Sequence, residues 1–300
     1  MLWLDFISYK IYIHINVSSK EIMNNWDNKR ADLHLHTIYS DGTLTPTEVI
    51  KLCYSKGLSI ISIVDHDNIQ GLEEAEDTAN LYNIEVIPGV ELSSNLNQKE
   101  VHILGYFIDR KNTKLNEYLD YFREERKKRA ERIIRKLNLL DINIELDSIL
   151  QKTVLGSIGR PHVAYALLEN GYINTYEEAF DKYIGVNGPA YEAKIHFSPE
   201  DAIKLISQAG GLSFLAHPNR TFNESELKYL IEIGIDGIEV FHPAHTNERI
   251  SYFKGITSEY FLLESGGSDF HGTKKNDLEL IGSYTISEKM VDNMKRRLFK

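Results

Sequence analysis

The sequence predicts an α/β fold in which βα units build a parallel sheet or barrel, interrupted once by a helical insertion. Three observations carry this. From Ala31 onward, short apolar runs alternate with amphipathic helical stretches. Between Asp109 and Ile195 the alternation gives way to long, charge-laced helical sequence. After His196 the alternation resumes and runs to the C-terminal region.

The first unit opens with "RADLHLHTIYSDG", residues 30–42. Alternate side chains of a strand share a face, so His34 and His36 project together while Leu33 and Leu35 face the opposite way into a core. "TPTEVIKLCYSKG" then reads as a helix with Thr45 as N-cap, Pro46 in the first turn, Glu48 completing a capping box and Gly57 as the stop. "LSIISIVDHD" is a buried strand and "NIQGLEEAEDTANLYN" a helix. "IEVIPGVELSS" and "EVHILGYFI" are two further strands, which makes four before Asp109. In the insertion, "LNEYLDYFREERKKRAERIIRKLNLL", "RPHVAYALLENG" and "TYEEAFDKYIG" read as helices, and the basic run Arg126 to Arg129 as a solvated helix face. The second part continues with "SPEDAIKLISQAGG" (helix), "LSFLAHP" (strand), "ELKYLIEIG" (helix), "DGIEVFHP" (strand) and "YFLLESGGSDFHG" (strand and loop). The expected divisions are an N-terminal extension over 1–29, a first barrel part over 30–108, the insertion over 109–195 and a second barrel part over 196–300.

Composition limits the function. The 300 residues are 42% hydrophobic and 26% charged, enough for one large domain with an insertion. A single cysteine, Cys53, excludes an internal disulfide and any multi-cysteine zinc motif. It fits a reducing, cytoplasmic setting and leaves metal binding to His, Asp and Glu. A net charge of −10 argues against a broad surface for duplex DNA but allows a local positive site for a small phosphorylated ligand. No apolar run is long enough to span a bilayer. The opening "MLWLDFISYKIYIHINV" is broken by Asp5, Lys10 and His14 and lacks the marks of an export signal. It reads as an extra strand, a surface anchor, or sequence upstream of a start at Met23.

The polar residues at the strand ends set the chemistry. Beyond the His34/His36 pair and Asp41 come Asp65, His66 and Asp67 in "VDHD", Glu91 in "GVELSS", His102 in "VHILG", His217 in "LAHP", and Asp269 and His271 in "SGGSDFHG". Any one of them alone is simplest as a satisfied structural histidine or a capping aspartate. Six histidines and at least three carboxylates gathered at strand ends point instead to a multinuclear metal site.

The motifs "DLHLHTIYSDG", "VDHD", "GVE", "VHILGY", "AHP" and "GGSDFHG", in this order, resemble the PHP (polymerase and histidinol phosphatase) superfamily. Together "GRPHVAYALLENG", "EEAFDKYIG", "AYEAKIHFSPEDAIKLI" and "AGG" resemble its subgroup of nucleoside 3′,5′-bisphosphate phosphatases and 5′-to-3′ exoribonucleases. The resemblance implies a distorted (β/α)7 barrel with a helical insertion and a site for two or three divalent ions. In it His34, His36, Glu91 and Asp269 hold one metal, Glu91 bridges to a second held by His102 and His217, and Asp41, His66 and His271 hold a third. Nitrogen and oxygen ligands suit Mn²⁺, the first expectation, and also Zn²⁺ or Fe²⁺. Three divalent ions against three carboxylates leave a positive pocket that favours phosphate. The implied reaction is hydrolysis of a phosphomonoester on a small nucleotide or a short RNA.

Other residues have two readings. Arg160 and His162 in "GRPH" either contact a second phosphate or serve the start of a helix. Arg220 is a further substrate candidate, in a loop where Asn219 replaces the glycine frequent in the family. Asp65 and His196 are the catalytic candidates, His196 as proton donor to the leaving oxygen or as a phosphate contact. His242 and His245 are expected to support ligands or lie on the surface. Competing functions are a non-catalytic metal-binding module, an amidohydrolase and a histidinol phosphatase.

Overall fold

A computed structural model of the chain describes residues 29–97, 99–150, 156–219, 222–272 and 277–299. The apolar N-terminal run, Met23 and Arg220 lie outside the described residues. Strand β1 (Arg30–Leu35) is followed by α1 (Pro46–Ser55), β2 (Ile60–Ile63), α2 (Leu72–Asn80), β3 (Glu85–Val86), β4 (Gly89–Leu96) and β5 (Lys99–Tyr106). The insertion carries α3 (Thr113–Asn138), α4 (Leu146–Leu150), α5 (Arg160–Glu169) and α6 (Tyr176–Ala179), which runs into a π-helical turn over Phe180–Ile184. Then come α7 (Pro199–Gln208), β6 (Leu212–Leu215), α8 (Glu224–Glu232), β7 (Gly237–Phe241), α9 (Asn247–Glu259) and β8 (Leu263–Gly266). The chain ends with α10 (Asp277–Leu280), β9 (Ile286–Ser287) and α11 (Glu288–Leu298).

The capping box of α1 forms as its residues dictate: Thr45 accepts from the Glu48 amide at 3.2 Å and Glu48 accepts from the Thr45 amide at 2.9 Å. The stretch read as one strand over 84–94 is two. Pro88 cannot donate to a ladder, and on either side of it β3 pairs with β2 while β4 pairs with β5.

The strands form two sheets, ordered β3-β2-β1-β9 and β4-β5-β6-β7-β8. The expectation of an all-parallel arrangement is corrected at β5, which is antiparallel to both β4 and β6. Its cause is local. Leu96 pairs with Lys99, so only two residues separate β4 from β5, and a two-residue loop can join only antiparallel strands. Asn97 takes the left-handed φ of 50° that such a turn requires. Among the described residues the ladders do not close into a continuous barrel. The two sheets meet at single-residue bridges, Leu35 with Phe270 and His66 with Glu91. Both seams contain or adjoin candidate ligands.

The sheets and their helices share an apolar core that includes Leu35, Ile61, Leu92, Ile103, Leu215 and Phe253. The insertion has its own, from Ala130 and Ile134 on α3 through Val163 and Leu167 on α5 to Ile184 and Ala190. Cys53 is a buried free thiol. No described helix is long and apolar enough to cross a membrane.

Candidate metal centre

β1 is buried on both faces, so His34 and His36 are sealed inside the molecule with their Nε2 atoms 3.1 Å apart. Each is oriented from behind. His34 Nδ1 lies 2.8 Å from Glu239 Oε1, and His36 Nδ1 lies 3.3 Å from Ser40 Oγ. The turn after β1 delivers Asp41 and is held by Asp65, which accepts hydrogen bonds from the Thr37 amide (2.7 Å), Thr37 Oγ1 (2.6 Å) and Ser40 Oγ (2.6 Å). Burial raises the Asp65 pKa.

Glu91 on β4 is the hub. It is fully buried, with Oε2 3.4 Å from His34 Nε2 and 3.2 Å from both His36 Nε2 and His66 Nδ1. Its Oε1 lies 2.9 Å from His102 Nδ1 and 3.2 Å from His217 Nε2. Burial raises its pKa, but the charge of the surrounding imidazoles outweighs burial and holds the carboxyl well below the usual carboxylate range. His102 pairs with Ser93 in the antiparallel β4–β5 ladder, two residues along β4 from Glu91. Asp269 completes the cluster, its Oδ1 3.2 Å from His34 Nε2 and 3.4 Å from His36 Nε2.

The nine expected ligands come together in four groupings, each with its ligand atoms within 4.8 Å of one another. They are His36/Asp41/His66/His271, His34/His36/Asp269, His34/Glu91/His217 and His66/Glu91/His102. His36 thus also adjoins the Asp41 group, and His66 the His102 group. The donor set fits divalent ions. Asp41 Oδ1, His66 Nδ1 and His102 Nδ1 are buried without a hydrogen bond of normal geometry, an expensive state for atoms that nothing else would occupy. The far ring nitrogens of His102 and His271 are engaged, as those of metal-oriented imidazoles are. His102 Nε2 donates to Glu100 Oε1 at 2.8 Å and His271 Nδ1 to the Asp269 carbonyl at 2.9 Å.

The remaining candidates are placed differently. Asp65, expected at the reacting centre, has both oxygens committed to the 37–40 turn and acts through that turn on His36 and Asp41. His196 is exposed and in none of the groupings. His162 Nδ1 accepts from the Gly159 amide at 3.0 Å, fastening the start of α5, and burial lowers its pKa. Arg160 Nη2 donates to Glu100 Oε2 at 3.1 Å, and Lys194 also pairs with Glu100. His242 Nε2 lies 3.3 Å from Oδ2 of the candidate ligand Asp269, and His245 Nε2 accepts from the Asn219 amide at 3.1 Å.

The basic run on α3 is solvated at Lys128, as expected, but not at Arg126 and Arg129. Arg126 is half-buried and donates through Nε to Asp67 Oδ2 at 2.8 Å and through Nη2 to Ser93 Oγ at 2.8 Å, clamping the insertion onto the segment after His66. Arg129 is 6% exposed, donates through Nε to the Glu192 carbonyl, and has no carboxylate partner among the described residues. Burial, with Arg160 and Arg126 nearby, lowers its pKa to about 10. Residues whose part was not read from the sequence are therefore Glu239, Glu100, Lys194, Arg126 and Arg129. Only Glu239 left a trace, as an acid in the middle of a short apolar strand.

Backbone packing behind β1 leaves no slack. A Cβ on Gly267 would lie 2.4 Å from both the amide nitrogen and Cβ of His34. Gly267→Ala is expected to displace β1, lower stability by roughly 1–3 kcal/mol and reduce metal affinity, as thermal melts and metal titration would report. An unchanged melt with full metal content would refute the close fit.

The PHP domain family model matches residues 32–191. A 5′-3′ exoribonuclease of Haemophilus influenzae is 33% identical over 248 residues, covering 81% of this chain and 90% of that protein. A 3′,5′-nucleoside bisphosphate phosphatase of Chromobacterium violaceum is 33% identical over 246 residues, covering 80% and 86%. Among solved structures, a protein from Bifidobacterium adolescentis assigned as a metal-dependent phosphoesterase superposes with a TM-score of 0.81 at 29% identity, covering 89% of this chain and 96% of that one. With a family model over more than half its length and relatives spanning four-fifths of it, the chain belongs to the PHP domain family, as a metal-dependent phosphoesterase.

Proposed function

We propose that the protein hydrolyses a phosphomonoester on a nucleotide that carries a second phosphate, the 3′-phosphate of nucleoside 3′,5′-bisphosphates. The observation that carries this is Arg129, a buried guanidinium beside Arg126 and Arg160 with no carboxylate partner among the described residues. Buried charges are ordinarily paired, and a phosphate is the counter-ion this wall would take. The wall is tied to the ligands: Arg160 and Lys194 both hold Glu100, and Glu100 holds His102.

Two or three divalent ions held by the nine ligands would supply an activated water and neutralise phosphoryl oxygens, with Mn²⁺ first and Zn²⁺ or Fe²⁺ also suited. The chain's own residues orient those ligands through Glu239, Glu100 and Ser40, and Arg160, Arg129 and Lys194 hold the phosphate that is not cleaved. Arg220 belongs to the same proposed set. A second reading, a 5′-3′ exoribonuclease acting on short RNA, is supported by the crevice along α3, whose lining includes Arg126, Arg129, Arg132 and Lys194 and which offers contacts for further phosphates.

The test is a comparison of kcat/KM on the Mn²⁺-loaded protein among 3′,5′-adenosine bisphosphate, a 5′-phosphorylated RNA trimer and histidinol phosphate. The bisphosphate is expected to lead, and a lead for the trimer would establish the second reading. In the same assay Arg160→Ala should raise KM for the bisphosphate about ten- to a hundred-fold, the worth of one charge-assisted contact of roughly 1.5–3 kcal/mol. KM for a simple aryl phosphate should barely move. Equal effects on both substrates would assign Arg160 to the reacting phosphate or to structure.

A further inference from the structure

β7 supplies no member of the four ligand groupings, yet it carries a carboxylate at its centre. Glu239 is fully buried between the core residues Ile238 and Val240. A strand of this kind is built as well or better with an apolar residue at that position, since an ionised carboxylate must be desolvated there. Its two oxygens show what it does instead. Oε1 faces His34 Nδ1 at 2.8 Å, and Oε2 accepts from the backbone amide of His217 at 2.7 Å. These contacts differ in kind. The first fixes a ring: with Nδ1–H donated to Glu239, the lone pair of His34 lies on Nε2, the atom that faces Glu91 and Asp269. The second fixes a backbone: His217 sits at φ 28°, a region that non-glycine residues occupy only when the surroundings hold them there.

We propose that Glu239 is a positioning residue that sets His34 and His217 together, so that the His34/His36/Asp269 and His34/Glu91/His217 groupings fill with metal as a pair. This rests on the metal-dependent reading of the centre. Glutamine cannot replace the carboxylate, although it matches it in size. Its oxygen can accept from one of the two partners, but its NH₂ would then face the N–H of the other. Either the ring of His34 or the backbone of His217 loses its restraint.

The experiment reads metal binding without substrate. Apoprotein of the wild type, Glu239→Gln and His217→Ala is titrated with Mn²⁺ alone by calorimetry, with folding followed by circular dichroism. Glu239→Gln should weaken two binding events together, about ten- to a hundred-fold each, the range for loss of a group that orients ligands. His217→Ala should weaken one far more than the other. Wild-type affinity at both sites in Glu239→Gln, or weakening at one site alone, overturns the proposal. If Glu239→Gln does not fold, nitrogen-15 spectra of histidine-labelled, metal-loaded wild type decide: His34 protonated on Nδ1 supports the proposal and protonation on Nε2 overturns it. Wild type that binds no Mn²⁺ would instead refute the metal-dependent reading. Wild type that binds the pair but hydrolyses no phosphomonoester would refute the proposed substrate and leave Glu239 in its role.

Discussion

Glutamine in place of Glu91 should empty more of the centre than the loss of a histidine that belongs to a single grouping. The side chain keeps its shape but loses its charge and one of its two acceptor oxygens. Five imidazole nitrogens lie 2.9–3.4 Å from those oxygens. Glu91 belongs to two groupings, with His34 and His217 on one side and His66 and His102 on the other, so its charge would serve two ions at once. The replacement puts an NH₂ against nitrogens that must present lone pairs. Loss of several kcal/mol of charge stabilisation corresponds to a fall in kcat/KM on the order of a thousand-fold or more. Elemental analysis after dialysis should find less metal per chain than in His102→Ala, which removes a member of only one grouping. Full metal content in Glu91→Gln would refute the bridging role.

The candidate ligands could be picked out in the sequence because a metal demands particular residue types, and strands place those types at readable positions. His34 and His36 share a face by the two-residue period alone, and "GGSDFHG" has no other ready purpose. The residues that orient them were not legible, because each depends on a contact between segments far apart in the chain. Glu239 meets His34 across 205 positions and Arg126 meets Asp67 across 59. A run of arginines and lysines on a long helix reads as solvated until the surface it packs against is known, and here that surface is the segment after His66. Asp65 shows the converse: a carboxylate beside a candidate ligand reads as catalytic in the sequence, while in the fold its oxygens accept from Thr37 and Ser40. In the fold, the alternation of strands and helices located the elements but not their direction. The reversal of β5 is set by the two residues between Leu96 and Lys99, and the division of β3 from β4 falls at Pro88.

Removing both imidazoles of the first strand, His34→Ala with His36→Ala, should leave phosphoesterase activity below detection even with excess metal. His34 belongs to two of the groupings and His36 to two, so together they reach three of the four. From the strand alternation alone, the pair would carry little packing and its loss would leave stability nearly unchanged. The burial argues otherwise. Both side chains are fully enclosed, and their rings stack or tilt against His66, His217, His242 and His271 at centroid distances of 4.1–6.1 Å. Truncation would open a cavity between the two sheets and leave Glu239 Oε1 without its partner, and an uncompensated buried charge costs about 3–5 kcal/mol. The double variant should therefore unfold cooperatively but several degrees below the metal-free wild type. Adding Glu239→Gln to it should restore part of the difference by removing the stranded charge. Turnover equal to wild type in metal-replete buffer would disprove the role of the pair, and a triple variant no more stable than the double would disprove the role assigned to Glu239 in that loss.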